Sequence, residues 1–476
     1  MKIRSIRPAI VFALVGYVLV MPVLSAQAIP PDYSTFNRQQ KEQYRPDPNR
    51  LLRIWTMFIG QGDGMLIQLP TENNYDPDIH DSEDAKSERV DILIDGGAFY
   101  DKNAKLMLAY LKSLYGNDAM TIEHAVITHH DSDHIKGLMT VLADDKVAVE
   151  NVYHNGLASY KRGKRGFPET GIPKSSEAVT KGANGRISRG MAFLEDGGKR
   201  LKRDYLITDL EKLRGRLADD EFHGVYLDLA DQIVKKWRDR GPLTLFRPIG
   251  RGDGDFIAKQ EDVSGRKKPR NVSFDVLWPL DPPRRYGNWG QTINGNSVTF
   301  TLQYGDFEML FTGDHNEKSE KAVLNTLTAE GKAINCDVMK VPHHGSKHAL
   351  KEFFTGHGPG CRPVVSVASM GEKGAESKSL SGGSNWQHPS TEVIRWLGGA
   401  HRVYHTLLHE RKFDWKELST KAAHERLYER SHVLIETDGK WFRVVEVPID
   451  HADFNDPPSV RKTRRGNGTR WIKATP

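Results

Sequence analysis

Cysteine is almost missing from this chain: 476 residues contain two, Cys336 and Cys361, too few for a disulfide-dense scaffold. Each stands just before an apolar β-type run, Val338–Val341 and Val364–Val367. The two sulfurs meet if those runs are parallel neighbours, and two separate thiols are the equal alternative. Past the first 28 residues no apolar run is long enough to cross a bilayer, which excludes a multi-span protein. A strong charge of one sign is lacking as well. The net charge of +6 is compatible with a polyanionic partner without demanding one. With 38% hydrophobic and 27% charged residues, the chain has enough apolar material for a sizeable core.

The N-terminus has Lys2, Arg4 and Arg7, an apolar stretch from Ala9 to Leu24, and Ala26-Gln27-Ala28, a small-x-small cleavage form. Residues 1–28 therefore read as a secretory signal. Pro22 and the shortness of the run weigh against an uncleaved anchor. The expected product is exported, periplasmic or secreted. Residues 29–50, rich in Pro, Gln and Arg, read as a leader or linker.

Strand-like runs follow at Leu51–Ile59, Met65–Leu69, Val90–Ile94 and Ile122–Thr128, with a helical pattern over Lys105–Leu114. A second group starts near Val272 and continues through Val298–Gln303, Phe307–Phe311, Val338–Val341, Val364–Val367, Val403–Leu407 and Val433–Ile435. Helical patterns at Glu317–Leu327, Lys347–Phe354 and Ser390–Leu397 alternate with them. Two βα-rich halves thus flank a middle of about residues 155–270, which has 26 Lys and Arg against 17 Asp and Glu. In it, Leu206, Leu210, Leu213 and Leu217 form one helical stripe, and Tyr226, Leu229, Ile233 and Trp237 another. The middle is expected to be an insertion with a small helical core of its own.

The chemistry concentrates in Ile127-Thr-His-His-Asp-Ser-Asp-His134. A strand ending at Thr128 delivers His129, Asp131, Asp133 and His134 to a turn at its edge, and imidazole with carboxylate is a standard donor set for divalent ions. Thr312-Gly-Asp314 and Pro342-His-His-Gly-Ser346 end two later strands. Alone, Gly-Asp is usually a turn and a histidine usually structural. Three polar clusters at three strand ends make a site.

These motifs resemble the metallo-β-lactamase-fold hydrolases, and within them the hydrolase domain of ComEC-type competence proteins. That subgroup has Asp where Asp131 stands, together with Gly60-Gln-Gly-Asp63, Asp95-Gly-Gly97, Asn294-x-x-Ser297, His343-His-Gly-Ser346 and His388-Pro389. The resemblance covers roughly residues 51–155 and 272–410. It implies an α/β fold, a four-layer αββα sandwich over residues 51–450, with the basic insertion inside it and a basic tail at 451–476. By position, it implies His129 and Asp131 on a first metal, Asp133, His134 and either His343 or His344 on a second, and Asp314 bridging. Asp133, Asp314 and His388 would be catalytic, while Ser346, Asn294 and Ser297 are candidate substrate contacts. Asp95 is expected behind the ligands, or in a plain turn. Two departures stand out: Phe58 occupies a position where relatives have Asp, and the histidine completing the first site is replaced near Asn294. The cofactors implied are two divalent ions, Zn²⁺ or Mn²⁺.

The expected activity is hydrolysis of a phosphodiester, with nucleic acid as the candidate partner and Lys161, Arg162, Lys164 and Arg165 of the insertion as phosphate contacts. The C-terminal run Arg461–Arg465 adds charge. Competing readings are a lactone or β-lactam hydrolase of the same fold, of which Asp131 and Asn294 make the β-lactam variant the weaker, and a non-catalytic binding module. The oligomeric state is left open.

Overall fold

A computed structural model describes residues 51–70, 89–98, 101–116, 118–160, 194–195, 199–239, 243–257, 271–356, 358–371, 388–399, 402–409, 428–449 and 471–475. The expected signal, the leader, the Lys161–Arg165 cluster and the run Arg461–Arg465 lie outside them. Among the described residues no helix is long and apolar enough to cross a membrane.

The β-branched and large apolar runs of the first half become β1 (Leu52–Thr56), β2 (Gly64–Gln68), β3 (Asp91–Asp95), β4 (Met120–Val126) and β5 (Val147–His154). Helix α1 (Leu106–Tyr115) connects β3 to β4, and α2 (Ser132–Ala143) connects β4 to β5. β1 to β3 run antiparallel and β3 to β5 parallel, as expected when helices make the crossovers. Asp133 and His134 therefore lie in the first turn of a helix, not in an open turn as the sequence suggested.

The middle segment contributes the ribbon β6 (Leu194–Glu195) and β7 (Arg200–Leu201), helices α3 (Leu210–Ala218) and α4 (Val225–Asp239), and strand β8 (Leu245–Pro248). It does not form a separate core. Leu213, Phe222, Tyr226, Leu229 and Ile233 pack in one cluster with Ile135, Leu138, Val141 and Leu142 of α2, and β8 extends the first sheet beside β5. The expectation of an independent insertion is corrected on this point. The apolar stripe of α2 needs cover, and the stripes of α3 and α4 provide it.

The second half repeats the plan with β9 (Val272–Trp278), α5 (Trp289–Gly295), β10 (Thr299–Tyr304), β11 (Phe307–Phe311), α6 (Glu317–Ala329), β12 (Val338–Lys340), α7 (Lys351–Thr355), β13 (Val365–Ala368), α8 (Thr391–Trp396) and β14 (Val403–His405). Its sheet runs β14-β13-β12-β11-β10-β9. β12 and β13 are parallel neighbours, and Cys336 and Cys361, which precede them, are disulfide-bonded with Cα atoms 6.3 Å apart. The chain then returns to the first sheet through β15 (Leu407–His409), β16 (Tyr428–Thr437), β17 (Trp441–Pro448) and β18 (Ile472–Lys473). β18 pairs with β17, and Thr475 donates from its backbone N–H and its hydroxyl to Asp337, each at 3.0 Å. The domain boundary expected at residue 450 thus leaves out a strand of the sheet.

Ile54, Ile67 and Ile92 of the first sheet meet Phe300, Leu302 and Val338 of the second in one central cluster. Helices cover both outer faces, α1, α2 and α4 on one side and α6, α7 and α8 on the other. This is the four-layer αββα arrangement. β4, β11 and β12 end at the same edge, and the polar motifs follow them.

Candidate metal centre

Asp131 precedes α2 in extended conformation, and its carbonyl accepts from the His134 N–H at 3.0 Å. Asp133 in the first turn suits the positive end of the helix. The Asp95-Gly96-Gly97 loop is stitched to that helix: Gly96 N–H donates to His134 O and Gly137 N–H to Gly97 O, both at 2.7 Å. A Cβ at Gly96 would lie 2.2 Å from the Leu138 nitrogen, so this approach requires glycine.

The donor atoms converge. His134 Nε2 lies 3.3 Å from Asp314 Oδ2, and His344 Nε2 lies 3.3 Å from the same oxygen and 3.6 Å from Asp133 Oδ2. His129, His134 and Asp314 form one group, and Asp133, His134 and His344 another, with donor atoms within 4.8 Å of one another. His129 Nε2 is 3.8 Å from Asp131 Oδ2. His343 and His344 both have positive φ, 48° and 53°, a conformation that non-glycine residues rarely adopt. His344 is buried in the cluster. His343 keeps 29% of its side chain exposed and stays 3.9 Å from Asp314. Of the two, His344 has the ligand geometry.

The back of the cluster fixes these rings. His134 Nδ1 is 2.8 Å from Asp95 Oδ2, and Asp95 also accepts from the Thr128 N–H at 2.8 Å and the Thr128 hydroxyl at 2.7 Å. Asp95 thus stands behind the ligands, as one of the two sequence readings had it. His344 Nδ1 faces the Ser369 carbonyl at 2.9 Å and Asp63 Oδ1 at 3.3 Å. In both rings this turns Nε2 toward the cluster. His129 Nδ1 has only hydroxyls, Thr128 at 3.1 Å and Ser297 at 3.4 Å.

Burial works against charge on Asp314, but the His344, His134 and His343 imidazoles outweigh it and hold the carboxyl well below its usual range. Burial likewise opposes charge on His134 and His344, yet Asp314 with Asp95, and Asp314 with Asp63, push these two rings well above the ordinary histidine value. His129 goes the other way, lowered by burial and by His134. Burial also lifts Asp95.

Several residues differ from their expected roles. Ser297 is fully buried; its Oγ accepts from the Asp314 N–H at 3.0 Å and donates to the Asn294 carbonyl at 2.8 Å. It holds the ligands and has no surface for substrate. Ser346 is buried, and its Oγ accepts from the His348 N–H at 3.3 Å, a bond that holds the turn after the histidine pair. With its amide nitrogen facing the acceptors, Asn294 donates to Asp131 Oδ2 and to the Gly290 carbonyl, each at 2.9 Å. His388 lies beside the pair, its ring centre 5.9 Å from that of His343 and 6.3 Å from that of His344. Phe58 packs with Met370 and Leu407, a structural position.

Two participants escaped the sequence reading. Asp63 was visible only as part of a motif. Lys340, the single charge in an apolar strand, is 1% exposed; its ammonium pairs with Asp63, lies 3.8 Å from Asp314 Oδ1 and donates to the Gly313 carbonyl at 3.3 Å. His130 points away from the ligands. It packs edge-on against Tyr226 of α4 at 5.0 Å and contacts Trp289 at 6.0 Å, which ties the insertion to the metal turn.

The layers and the donor clusters at the strand ends define a metallo-β-lactamase-type fold with groups that can hold metal. No family model matches the chain. The chain is similar to ComE operon protein 3 of Bacillus subtilis (strain 168), 26% identical over 128 residues, which is 27% of this chain and 14% of that protein's length. A solved subclass B3 metallo-β-lactamase from a soil metagenome library overlaps 63% of this chain and 82% of its own, at 12% identity and a TM-score of 0.25. The fold assignment rests on the layers and strand order, not on that overlap.

Proposed function

We propose that the chain is an exported metal-dependent hydrolase of phosphodiester bonds. One observation carries the reading: the buried Nε2 atoms of His129, His134 and His344 point at Asp314 without a hydrogen-bond partner. Buried polar atoms are ordinarily satisfied, and a divalent ion would satisfy these. Charge supports the same conclusion. Asp63, Asp95, Asp131, Asp133 and Asp314 gather here around Lys340. With the imidazoles neutral, as metal ligands must be, carboxylates would be left without a counter-charge, which is costly and which divalent ions would offset.

His129 and Asp131 would hold the first ion, Asp133, His134 and His344 the second, and Asp314 both. Bound there, such ions supply a water acidified toward neutral pH and stabilise the attacking and leaving oxygens of an in-line displacement. The chain's own groups set the geometry: Asp95 and Ser369 orient the two rings, Ser297 orients Asp314, and His388 is at hand beside His343 to give a proton to the leaving oxygen. The share of oxygen donors makes Mn²⁺ as suitable as Zn²⁺. The phosphodiester assignment draws on this carboxylate-rich set and on the motif resemblance. Export draws on the N-terminal segment and on the Cys336–Cys361 bridge, since disulfides persist in oxidising compartments.

The test is elemental analysis of the purified chain together with turnover of a chromogenic phosphodiester, a lactone and a β-lactam in Mn²⁺ or Zn²⁺. Bound metal with diester turnover is expected. A preference for lactone or lactam would move the chain to the alternative class, and no metal with no turnover would leave a binding module.

A further inference from the structure

The run Lys199-Arg-Leu-Lys-Arg203 belongs to the insertion, yet it is built onto the second half of the molecule. Arg200 forms an antiparallel bridge with Arg284. Leu201 N–H donates to the Pro283 carbonyl at 3.0 Å and Arg285 N–H to the Lys199 carbonyl at 2.9 Å. The receiving segment is itself clamped, because Asn296 Oδ1 accepts from the Arg284 N–H at 3.0 Å and Asn296 Nδ2 donates to the Arg284 carbonyl at 2.7 Å. The next residue is Ser297, which touches His129 and Asp314. A second anchor is apolar: Leu201 packs with Leu157, Leu206 and Trp289, and Trp289 lies against His130. Backbone pairing and packing both fix the run beside the metal centre.

Residues directly opposite across an antiparallel bridge project from the same face, so the Arg200 and Arg284 side chains stand next to each other. Arg203 pairs with Asp281 at 3.0 Å. Among the described residues Lys199, Lys202, Arg284 and Arg285 have no carboxylate within ion-pair distance, and Lys199 is exposed. A cationic rim beside a carboxylate-rich centre gives a polyanion a favourable potential where the centre itself repels it.

We propose that Lys199, Arg200, Lys202, Arg284 and Arg285 form one rim that holds the phosphates flanking the scissile bond of a nucleic-acid strand; the choice of ligand rests on the hydrolase reading above. The test measures binding, not turnover. The full chain and its Lys199→Gln, Arg200→Gln, Arg284→Gln, Arg285→Gln variant are titrated with a fluorescent single-stranded oligonucleotide in EDTA across a salt series. Removing a charge that neutralises one phosphate flattens the slope of log affinity against log salt by about 0.7, so a slope shallower by about 2 to 3 and affinity at least tenfold weaker at low salt are expected. Arg284→Lys with Arg285→Lys keeps the charge and should keep the slope. Equal slopes in wild type and the glutamine variant overturn the rim, as does equal loss in the lysine variant, which would assign these residues to packing. Capture of anionic phospholipid vesicles without oligonucleotide binding overturns the nucleic-acid assignment. Because nothing is cleaved in EDTA, an inactive hydrolase would leave this result intact, and an active one with equal slopes would lose only the rim.

Discussion

His134 and His344 are gripped from behind by anionic or carbonyl oxygens, Asp95 at 2.8 Å in one case and Ser369 with Asp63 at 2.9 and 3.3 Å in the other. His129 is held at 3.1 Å by the Thr128 hydroxyl, which itself donates a hydrogen bond to Asp95. Asp131, the other donor on that side, keeps 36% of its side chain exposed and is steadied by a neutral amide. The two sides of the cluster therefore differ in how firmly, and with how much negative charge, their donors are set. Carboxylate partners raise ligand basicity and fix the ring, so the side built on Asp133, His134 and His344 should take up metal first and more tightly.

The largest effect should come from removing what the two sides share. Asp314→Ala takes away the carboxylate facing His129, His134 and His344, so turnover should fall by several orders of magnitude while the melting temperature stays near that of wild type. Metal analysis should show both sites depleted. Turnover close to wild type would mean that the two sides work independently.

Next in size is the support of the tighter side. Asp63→Asn removes the charge beside His344 Nδ1 and leaves Lys340 with the more distant Asp314 carboxylate at 3.8 Å. The affinity of one ion should weaken by roughly 10- to 100-fold, with the other site changed much less, as read by competition with a metal-sensitive dye. Equal weakening of both sites would break the distinction.

These supports are also where the sequence was least informative. His129, Asp131, Asp133, His134, Asp314 and His344 stand in short dense motifs at the ends of apolar runs, and such crowding is legible because solvent-averse strands seldom end in so many ionisable groups. Strand periodicity placed both halves for the same reason. Lys340 was hidden because a lone lysine in an apolar run differs in no local way from an edge-strand charge; only pairing β12 between β11 and β13 puts it inside. The choice between His343 and His344 depended on backbone angles that adjacent, identical residues do not announce. The insertion's stripes were visible, but a helical stripe does not say against what it packs, and here it packs on α2. β18 was missed because two residues carry no period.

Acid should act on the two sides unequally. Desolvation, then the Asp133 carboxylate, push Asp131 up to about 7. A raised carboxyl is protonated below that value and must lose its proton to bind metal, so first-side affinity should fall about tenfold per pH unit on the acid side. The exposed third of the side chain, and a neighbouring cation once the second side is filled, both favour the charged form, so the midpoint should lie at or below 7. On the second side His134 and His344, held well above the ordinary histidine value, must each shed a proton, so affinity there should fall more steeply, about a hundredfold per pH unit below those values. Metal titrations from pH 5 to pH 8 should show two different slopes, and parallel loss of both would contradict the comparison.

The smallest effect tests the weaker side alone. Asn294 donates to Asp131 Oδ2 at 2.9 Å, so it can orient the carboxylate without contributing a donor of its own. Asn294→Ala removes one hydrogen bond to a partly exposed charged group, worth about 1 kcal/mol, or about fivefold in first-side affinity, and should leave the second side unchanged. Asn294→His should act in the opposite direction by offering an imidazole next to Asp131. Both variants are read by the same dye competition. A weakening in Asn294→Ala confined to the second side would mean that Asp131 takes no part in holding metal, and that the cluster is a single-ion site built on His134 and His344.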